Sequence, residues 1–483
     1  MKTTQKQLFF CVLLMSALAA CNPEEKSWMK ATPEALEFDS HGGEKPLRLE
    51  SGGAWAAETD GQTWFSVFPA SGSGDMTVTI KVDPNIKSTH RSASLSFVCE
   101  GKRATVAIAQ KSPVPPDNTE EKQVSCSSDG GEIRVEVPQG FEYDAIIPSE
   151  ATWVSIRAKD DGNLSLNVSE NSSRGPRNAR IEVKTTDGKL LKIIEFRQYG
   201  TAPAKGELLI EEIFFIGNEI PGTKKRDARQ GDQYFILRNN SDHAFFADNV
   251  LLMIGEKLSG AYLPSAGFVY PEKPDSIFVS DVFAIPGNGK EVKMDAGDTL
   301  LIALAAQNFH KNNPNGFDLS KAHFEIYEIS ENNVKDTDNP DVKDLVVLKK
   351  KSYSYTVLHE RGFYGYAIGL LPEGMTPDEF LARYKSKEKK HPTINHNESA
   401  IDAYVVSNEW VLDAVSLSRK ECFYELPFNA AMDSGYSYCG TSWNDNPFGT
   451  CVKRRRAADG RLADTNNSTN DFTPQTTPSL KKQ

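Results

Sequence analysis

A chain of 483 residues exceeds what one hydrophobic core usually supports, so about two to four domains are expected. With 39% hydrophobic and 25% charged residues, the composition is that of a globular protein and excludes a wholly disordered chain. The formal net charge of −11 would repel a phosphate backbone, which argues against nucleic acid as a partner.

The N-terminal segment has the build of an export signal. Lys2 and Lys6 supply a positive end, Leu8 to Met15 form an apolar run too short to span a bilayer, and small residues lead to Cys21. Leu18-Ala19-Ala20-Cys21 resembles the lipobox of bacterial lipoproteins, which implies a signal peptide over 1–20, lipid on Cys21 and a tether over 21–28. No aspartate follows Cys21, which resembles lipoproteins sent to the outer membrane. Glu24-Glu25 resembles the export tag of surface lipoproteins in the Bacteroidetes, and the same residues also read as a solvated tether. The expected location is the outer membrane, lipid-anchored and facing outward. No later run approaches transmembrane length, so lipid is the expected membrane contact.

Residues 29–111 read as a β-sandwich. Leu36/Phe38, Leu47/Leu49, Met76/Val78/Ile80/Val82, Ala93/Leu95/Phe97 and Val106/Ile108 alternate at strand period, separated by turn residues such as Gly42-Gly43 and Asp83-Pro84-Asn85. Short strands at this spacing favour an immunoglobulin-like sandwich. Gly42-Gly43, Trp55, Trp64, Gly72-Ser73-Gly74, Asn85, Arg91-Ser92-Ala93 and Gln110-Lys111 stand in the order of a BACON domain, which this block resembles. The resemblance implies a carbohydrate-binding role, with Trp55 and Trp64 as candidate ligand contacts. The same two rings also read as core or edge aromatics, and the module as a spacer.

Residues 112–121 form a stiff, acidic, proline-rich linker. Residues 122–200 repeat the order Gly-Gly, Trp, Arg-x-Ala, Gln through Gly130-Gly131, Trp153, Arg177-Asn178-Ala179 and Gln198. This is the order of the first block, so a second, divergent BACON-like sandwich is expected. A short linker, 201–205, follows.

The remaining block, 206–483, is the largest. Leu208 to Phe215 is apolar on both faces, as in a central strand, and Tyr234 to Arg238 runs into the turn Asn239-Asn240-Ser241-Asp242. Further strands are expected at Phe246 to Leu252, Thr299 to Ala305, Phe324 to Ile329, Tyr364 to Leu370 and Trp410 to Ala414. Thr376-Pro377-Asp378-Glu379 has an N-cap, a proline at the first helical position and a capping-box glutamate, so one helical insertion is expected, running from Phe380 to Lys390 with solvated lysines. The strand with Glu211-Glu212-Ile213, the Asp232-to-Ser241 strand and turn, and the end from Val452-Lys453-Arg454-Arg455 to Asp464–Phe472 resemble the extracellular form of the lamin-tail domain. Ala306 to Glu325 and Asp336 to Pro340 resemble an enlarged domain of a Bacteroidetes lipoprotein family of unknown function. The expected fold class is all-β: two immunoglobulin-like sandwiches and a larger lamin-tail-like β domain.

Chemistry is sparsely signalled. Asp336, Asp338 and Asp341, with Asn339 and Asp344, crowd one loop, and Asp464, Asn466 and Asp471 another; both loops suit calcium as a cofactor and both suit turn formation. Cys439 and Cys451 flank a Gly/Asn/Pro-rich loop and are the expected disulfide, with Cys422 as competitor. No His-Glu-x-x-His, Cys-x-x-Cys or Gly-x-Ser-x-Gly pattern occurs. Arg454-Arg455-Arg456 reads as hairpin decoration or as a phosphate or acidic-glycan contact. The leading expectation is a non-enzymatic, lipid-anchored surface protein that presents the third block to a glycan or an outer-membrane protein. A glycan-degrading enzyme with carboxylates in the third block, and a structural subunit of an uptake complex, are the alternatives.

Overall fold

The computed structural model describes residues 28–115, 119–226, 231–260, 268–329, 336–351, 355–392 and 397–481. The lipobox, Cys21 and Glu24-Glu25 lie outside them. The fold is all-β, and among the described residues the α-helices are Pro377–Arg383 and Ser468–Asp471. No helix there is long and apolar enough to cross a membrane. The chain forms two compact units. One comprises the chain up to Val124 with Glu132–Asn167 and Arg180–Glu195; the other comprises Ser125–Gly131, Val168–Ala179 and everything from Phe196.

The first block is a two-sheet sandwich. One sheet runs Met29–Thr32, Gly43–Ser51, Met76–Val82, Phe65–Phe68, and the other runs Ala35–Phe38, Lys102–Gln110, Arg91–Cys99, Ala54–Glu58, Ser71–Ser73. Leu47, Leu49, Val78, Ile80, Leu95, Phe97, Val106 and Ile108 point inward at period two and form the core. Trp55 is part of that core. It is 3% exposed, lies edge-on to Phe97, and donates from Nε1 to the Gly74 carbonyl at 3.2 Å. A Cβ on Gly72 would stand 2.7 Å from its ring. The expectation of Trp55 as a ligand contact is therefore corrected: burial leaves no face for a sugar. Trp64 is half-buried, with the Arg91 guanidinium 4.6 Å from its ring centre.

The landmarks shared by the first and second blocks are structural. Arg91 Nε donates to Gln110 Oε1 at 2.8 Å, and Arg177 Nε to Gln198 Oε1 at 2.8 Å. Each arginine also caps two carbonyls, of Asp83 and Pro84 or of Ser169 and Glu170. Asn85 and Asn171 each brace a turn by donating to two carbonyls and accepting an amide two residues on. Gly42 and Gly130 adopt φ of +73° and +72°, where a Cβ would lie 2.2 or 2.3 Å from the Val82 or Val168 carbonyl oxygen.

In the third block two sheets face each other. The first has the order Lys343–Asp344, Phe324–Glu325, Thr299–Ala303, Tyr234–Asn239, Leu208–Phe214, Cys451–Arg454, Phe472–Thr476. The second runs Val346–Lys349, Ser276–Ala284, Leu251–Gly255, Gly365–Gly369, Val411–Ser418, Ser437–Tyr438. The main core, including Ile210, Phe235, Leu252, Tyr366 and Val415, fills the space between them. Separate clusters cover the outer faces, one around Phe214, Tyr234 and Phe317, the other around Met253, Val279 and Phe380. Layers on both sides explain why strands such as Ser276–Ala284 and Val411–Ser418 are buried at every position.

Several expected elements change length. The helix begins as expected, with Thr376 and Glu379 closing a capping box, but it ends at Arg383. Lys389–Pro392 is instead a strand paired with Phe268–Val269. Lys390 is not a solvated lysine, because its ammonium lies 3.0 Å from the buried Glu256 carboxylate. The expected strand from Phe324 is regular only over Phe324–Glu325. Residues 201–205 are packed within the second unit: Phe246 N–H donates to the Thr201 carbonyl, and Thr201 Oγ1 to that of Ser173.

A bulge at Glu211 shifts the register of the ladder just after Ile210. Asp413 accepts the Ile210 N–H at 2.7 Å and Arg454 donates to the Ile210 carbonyl at 3.0 Å. Arg454 and Asp413 also meet in two hydrogen bonds of 2.7 and 2.6 Å. Arg454 is thus a buried clasp between the two sheets, not a hairpin decoration.

Candidate functional site

Asp232 begins the site. It stands just before the central strand Tyr234–Asn239, so its fully buried carboxylate sits at the sheet end. Burial raises its pKa even though hydrogen bonds favour the charged form. One oxygen accepts Asn218 Nδ2 at 2.6 Å and the Phe317 amide at 2.9 Å; the other accepts the Asn218 amide at 3.3 Å. One carboxylate therefore ties together two walls: the hairpin that starts at Glu219 and the loop that ends at Phe317.

Between these walls lies a polar cavity of about 480 Å³. Asn218, Asn308, Asn315 and Asp318 line it, with Phe448 as an apolar side. Asn315 Nδ2 donates to the Glu219 carbonyl at 2.9 Å, and Asn308 Nδ2 to Asp318 Oδ2 at 2.6 Å. The Asn308 Oδ1 atom is buried with no hydrogen-bond partner.

Phe448 is half-buried and also borders a second cavity, of about 270 Å³. This one is basic: Lys224, Lys225, Arg226 and Arg419 line it against a single carboxylate, Glu360. The antiparallel pairing of Glu219–Ile220 with Lys225–Arg226 presents the two lysines at a hairpin end, with Lys224 at φ +55°. Arg226 lies 3.7 Å from Glu360, which also binds Arg361 at 2.7 Å. Arg419 is 2% exposed; its Nη1 donates to the Ser442 carbonyl at 3.1 Å, while its Nε has no partner. The positive field reaches His359, whose imidazole is pushed down to about 4 by burial, with Arg361, Arg226 and Arg419 adding to the shift and Glu360 opposing it.

A third cavity, of about 220 Å³, is lined by Asp281, Lys351, Thr356 and Tyr364 among others. Asp281 is raised by burial while Ser280 and the Lys351 amide bind it. Glu328 is likewise buried and raised, with Thr356 N–H donating to it. Lys351 and Lys390 both pair with Glu256.

The expected calcium loops resolve differently. Asp338 draws together with Glu325 and Asp344, each offering an oxygen within 4.8 Å of the others. Asp344 is pushed up by burial and by repulsion from Asp338 and Asp336. Asp336 instead accepts the Glu328 and Thr337 amides, and the Asp341 amide caps onto Asn339. In the other loop, Asp471 accepts from the Thr465 amide and hydroxyl and the Asn467 amide, and Asn466 takes φ +51° as a turn residue. Asp464 and Asp471 stand 3.5 and 3.8 Å from Arg454, whose guanidinium brings a positive charge to this loop.

The disulfide expectation is also corrected. Cys439 and Cys451 are free thiols, fully buried, and they pack into different clusters. Burial pushes the Cys439 thiol up to about 12 and raises Cys451 as well. The site residues missed from sequence were Asn218, Asn308, Asn315, Phe448 and the Lys224–Arg226 run. The basic run was visible as a charge cluster; the asparagines look like ordinary turn formers until the fold sets them round one cavity.

Residues 295–479 match the family described as "Protein of unknown function (DUF4876)". Residues 53–111 and 143–194 match the BACON family, described as "Putative binding domain, N-terminal". BACON sequence thus precedes a C-terminal DUF4876 region, in line with both resemblances read from the sequence. No curated protein matches the chain. Among solved structures, a DUF4876 family protein from Bacteroides thetaiotaomicron is 18% identical, with 75% of this chain and 97% of that one covered and a TM-score of 0.45. A Bacteroides ovatus GH5 xyloglucanase in complex with a XXXG heptasaccharide is 22% identical over 19% of this chain and 22% of that one, with a TM-score of 0.17. An endo-fucoidan hydrolase of glycoside hydrolase family 107 is 11% identical over 39% and 31%, with a TM-score of 0.26.

Proposed function

We propose that this is a non-enzymatic binding protein, lipid-anchored through Cys21 on the outer cell surface, whose third block binds a glycan at the cavities flanking Phe448. The observation that carries the glycan reading is the wall chemistry. The amides of Asn218, Asn308 and Asn315 and the carboxylate of Asp318 line one cavity beside the half-buried Phe448 ring, as hydroxyl-rich ligands with apolar ring faces require. The BACON description supports a binding role in the N-terminal half. Glycan-array binding by the full mature chain tests this reading, with Phe448→Ala expected to abolish the signal. An array with no hits, or hits that Phe448→Ala leaves intact, overturns it. Cys21→Ala is expected to move the protein out of the detergent phase, and protease added to intact cells to remove the third block.

A second reading, a glycan-degrading enzyme, draws on Asp281 and Glu328, two buried carboxyls raised by burial beside the cavity at Lys351. Polysaccharide incubated with the full chain and with Glu328→Gln distinguishes the two. New reducing ends made by the wild type and lost in the variant would favour the enzyme.

A further inference from the structure

We propose that the basic cavity beside Phe448 receives the anionic group of an acidic sugar, so that the ligand is a glycan bearing carboxylate or sulfate. This rests on the glycan reading and narrows it to a substrate class.

The charge balance is the first ground. Four cations line the cavity against one carboxylate, in a chain whose net charge is −11. A local excess of that sign concentrates anions at one place while the rest of the surface repels extended polyanions.

The pairing is the second. Glu360 is shared by Arg226 and Arg361, whereas among the described residues Lys224 and Lys225 have no acidic partner. Arg419 is nearly buried and forms no ion pair among the described residues either; Asp445 and Glu360 act on it through their charge without bonding it. The Asp445 carboxylate is already engaged by the Thr441 and Ser442 amides and the Ser442 hydroxyl. A nearly buried guanidinium without an ion pair is costly unless an anion in the cavity it lines supplies the counter-charge. The arginine is held in place: a Cβ on Gly440 would lie 2.3 Å from Nη1, so only glycine leaves it room. Carboxylate and sulfate both accept the forked N–H donors of arginine and the ammonium of lysine.

The geometry is the third. A cavity of about 270 Å³ holds about one sugar unit, and Phe448 also lines the 480 Å³ cavity, where Glu219 and Asp318 stand with His310 and Lys481, so that charges of both signs are present beside the amides. An acidic sugar on one side of the ring and a neutral neighbour on the other match the two linings.

Isothermal titration of the full mature chain tests this with four probes: chondroitin sulfate oligosaccharides, the same oligosaccharides desulfated, oligogalacturonates and neutral cello-oligosaccharides. Lys224 and Lys225 are exposed and unpaired, so the Lys224→Ala/Lys225→Ala variant keeps the fold. The acidic probes are expected to bind more tightly than the neutral one, the double variant to lose about tenfold in affinity for them, and added salt to weaken the wild type more than the variant. Loss of binding on desulfation assigns the group to sulfate; retention, with oligogalacturonate binding, assigns it to carboxylate. Equal binding of acidic and neutral probes, or an unchanged double variant, overturns the inference. If no glycan binds but inorganic sulfate raises the melting temperature of the wild type more than that of the double variant, the anion site stands and the glycan reading fails.

Discussion

Asp413→Asn is expected to be among the most destabilising single changes in the third block. It removes the charge from a pair whose members are both buried, with hydrogen bonds of 2.7 and 2.6 Å, and it sets an amide N–H₂ against the Arg454 guanidinium. Breaking a buried pair by neutralising one partner costs about 3–5 kcal/mol, because the other charge is left uncompensated. Asp464 and Asp471, at 3.5 and 3.8 Å, still offset part of the Arg454 charge. The asparagine oxygen can also keep the bond from the Ile210 amide. Both effects place the cost at the lower end, about 3 kcal/mol. For a block of this size that is roughly a 6 °C fall in melting temperature, and in urea a midpoint shift of about 1 M. The assay is thermal and urea unfolding followed by near-ultraviolet dichroism, with Arg456→Ala as control. Arg456 is half exposed and 3.3 Å from Glu211, so its loss should cost less than about 1 kcal/mol. Equal, small effects for the two variants would refute the clasp. Replacing both Asp413 and Arg454 with apolar residues should recover part of the loss, since the isolated charge is what costs most.

The His359 imidazole titrates near 4, against about 6.5 in the unfolded chain, so between those values the unfolded state binds a proton that the folded state refuses. Stability from this group is complete above pH 6.5 and lost as pH falls toward 4, by up to about 3 kcal/mol, and a His359→Gln variant should flatten that slope in unfolding curves. Thiol labelling of the native protein should modify Cys422, the partly exposed cysteine, and spare Cys439 and Cys451 until unfolding, with reductant leaving the melting temperature unchanged. A linked Cys439–Cys451 peptide in a non-reducing map would sink that expectation. Asp344→Asn should raise the melting temperature in calcium-free buffer by relieving repulsion from Asp338 and Asp336. Added calcium should raise that of the wild type but not of the variant; a wild type indifferent to calcium would leave Glu325, Asp338 and Asp344 as a turn only.

The sequence by itself determined the class of the fold and the repeat. Alternation in Leu47/Leu49 and Val78/Ile80 dictates half-buried strands, and Gly42-Gly43 and Gly130-Gly131 mark turns that only glycine can make, because these are local constraints written in consecutive residues. The capping box at Thr376 was legible for the same reason, but the end of its helix was not. Nothing local stops a helix at Arg383; the pairing of Lys389–Pro392 with Phe268–Val269, more than 100 residues earlier, does. Arg454 and Cys439 were misread, and Trp55 and Asp471 stood between two readings, because a residue type carries several roles and only burial chooses among them. A tryptophan is a platform or a core ring, an arginine a surface charge or a clasp, an aspartate a ligand or a turn anchor. The cavities beside Phe448 exist in no segment of the chain. Asn218 and Lys225 share one hairpin, but Asn308, Arg419 and Phe448 come from three other stretches, and the tie of Asp232 to Asn218 and Phe317 is what brings the walls of the larger cavity together. Such convergence depends on contacts of long sequence separation, which periodicity and spacing cannot encode.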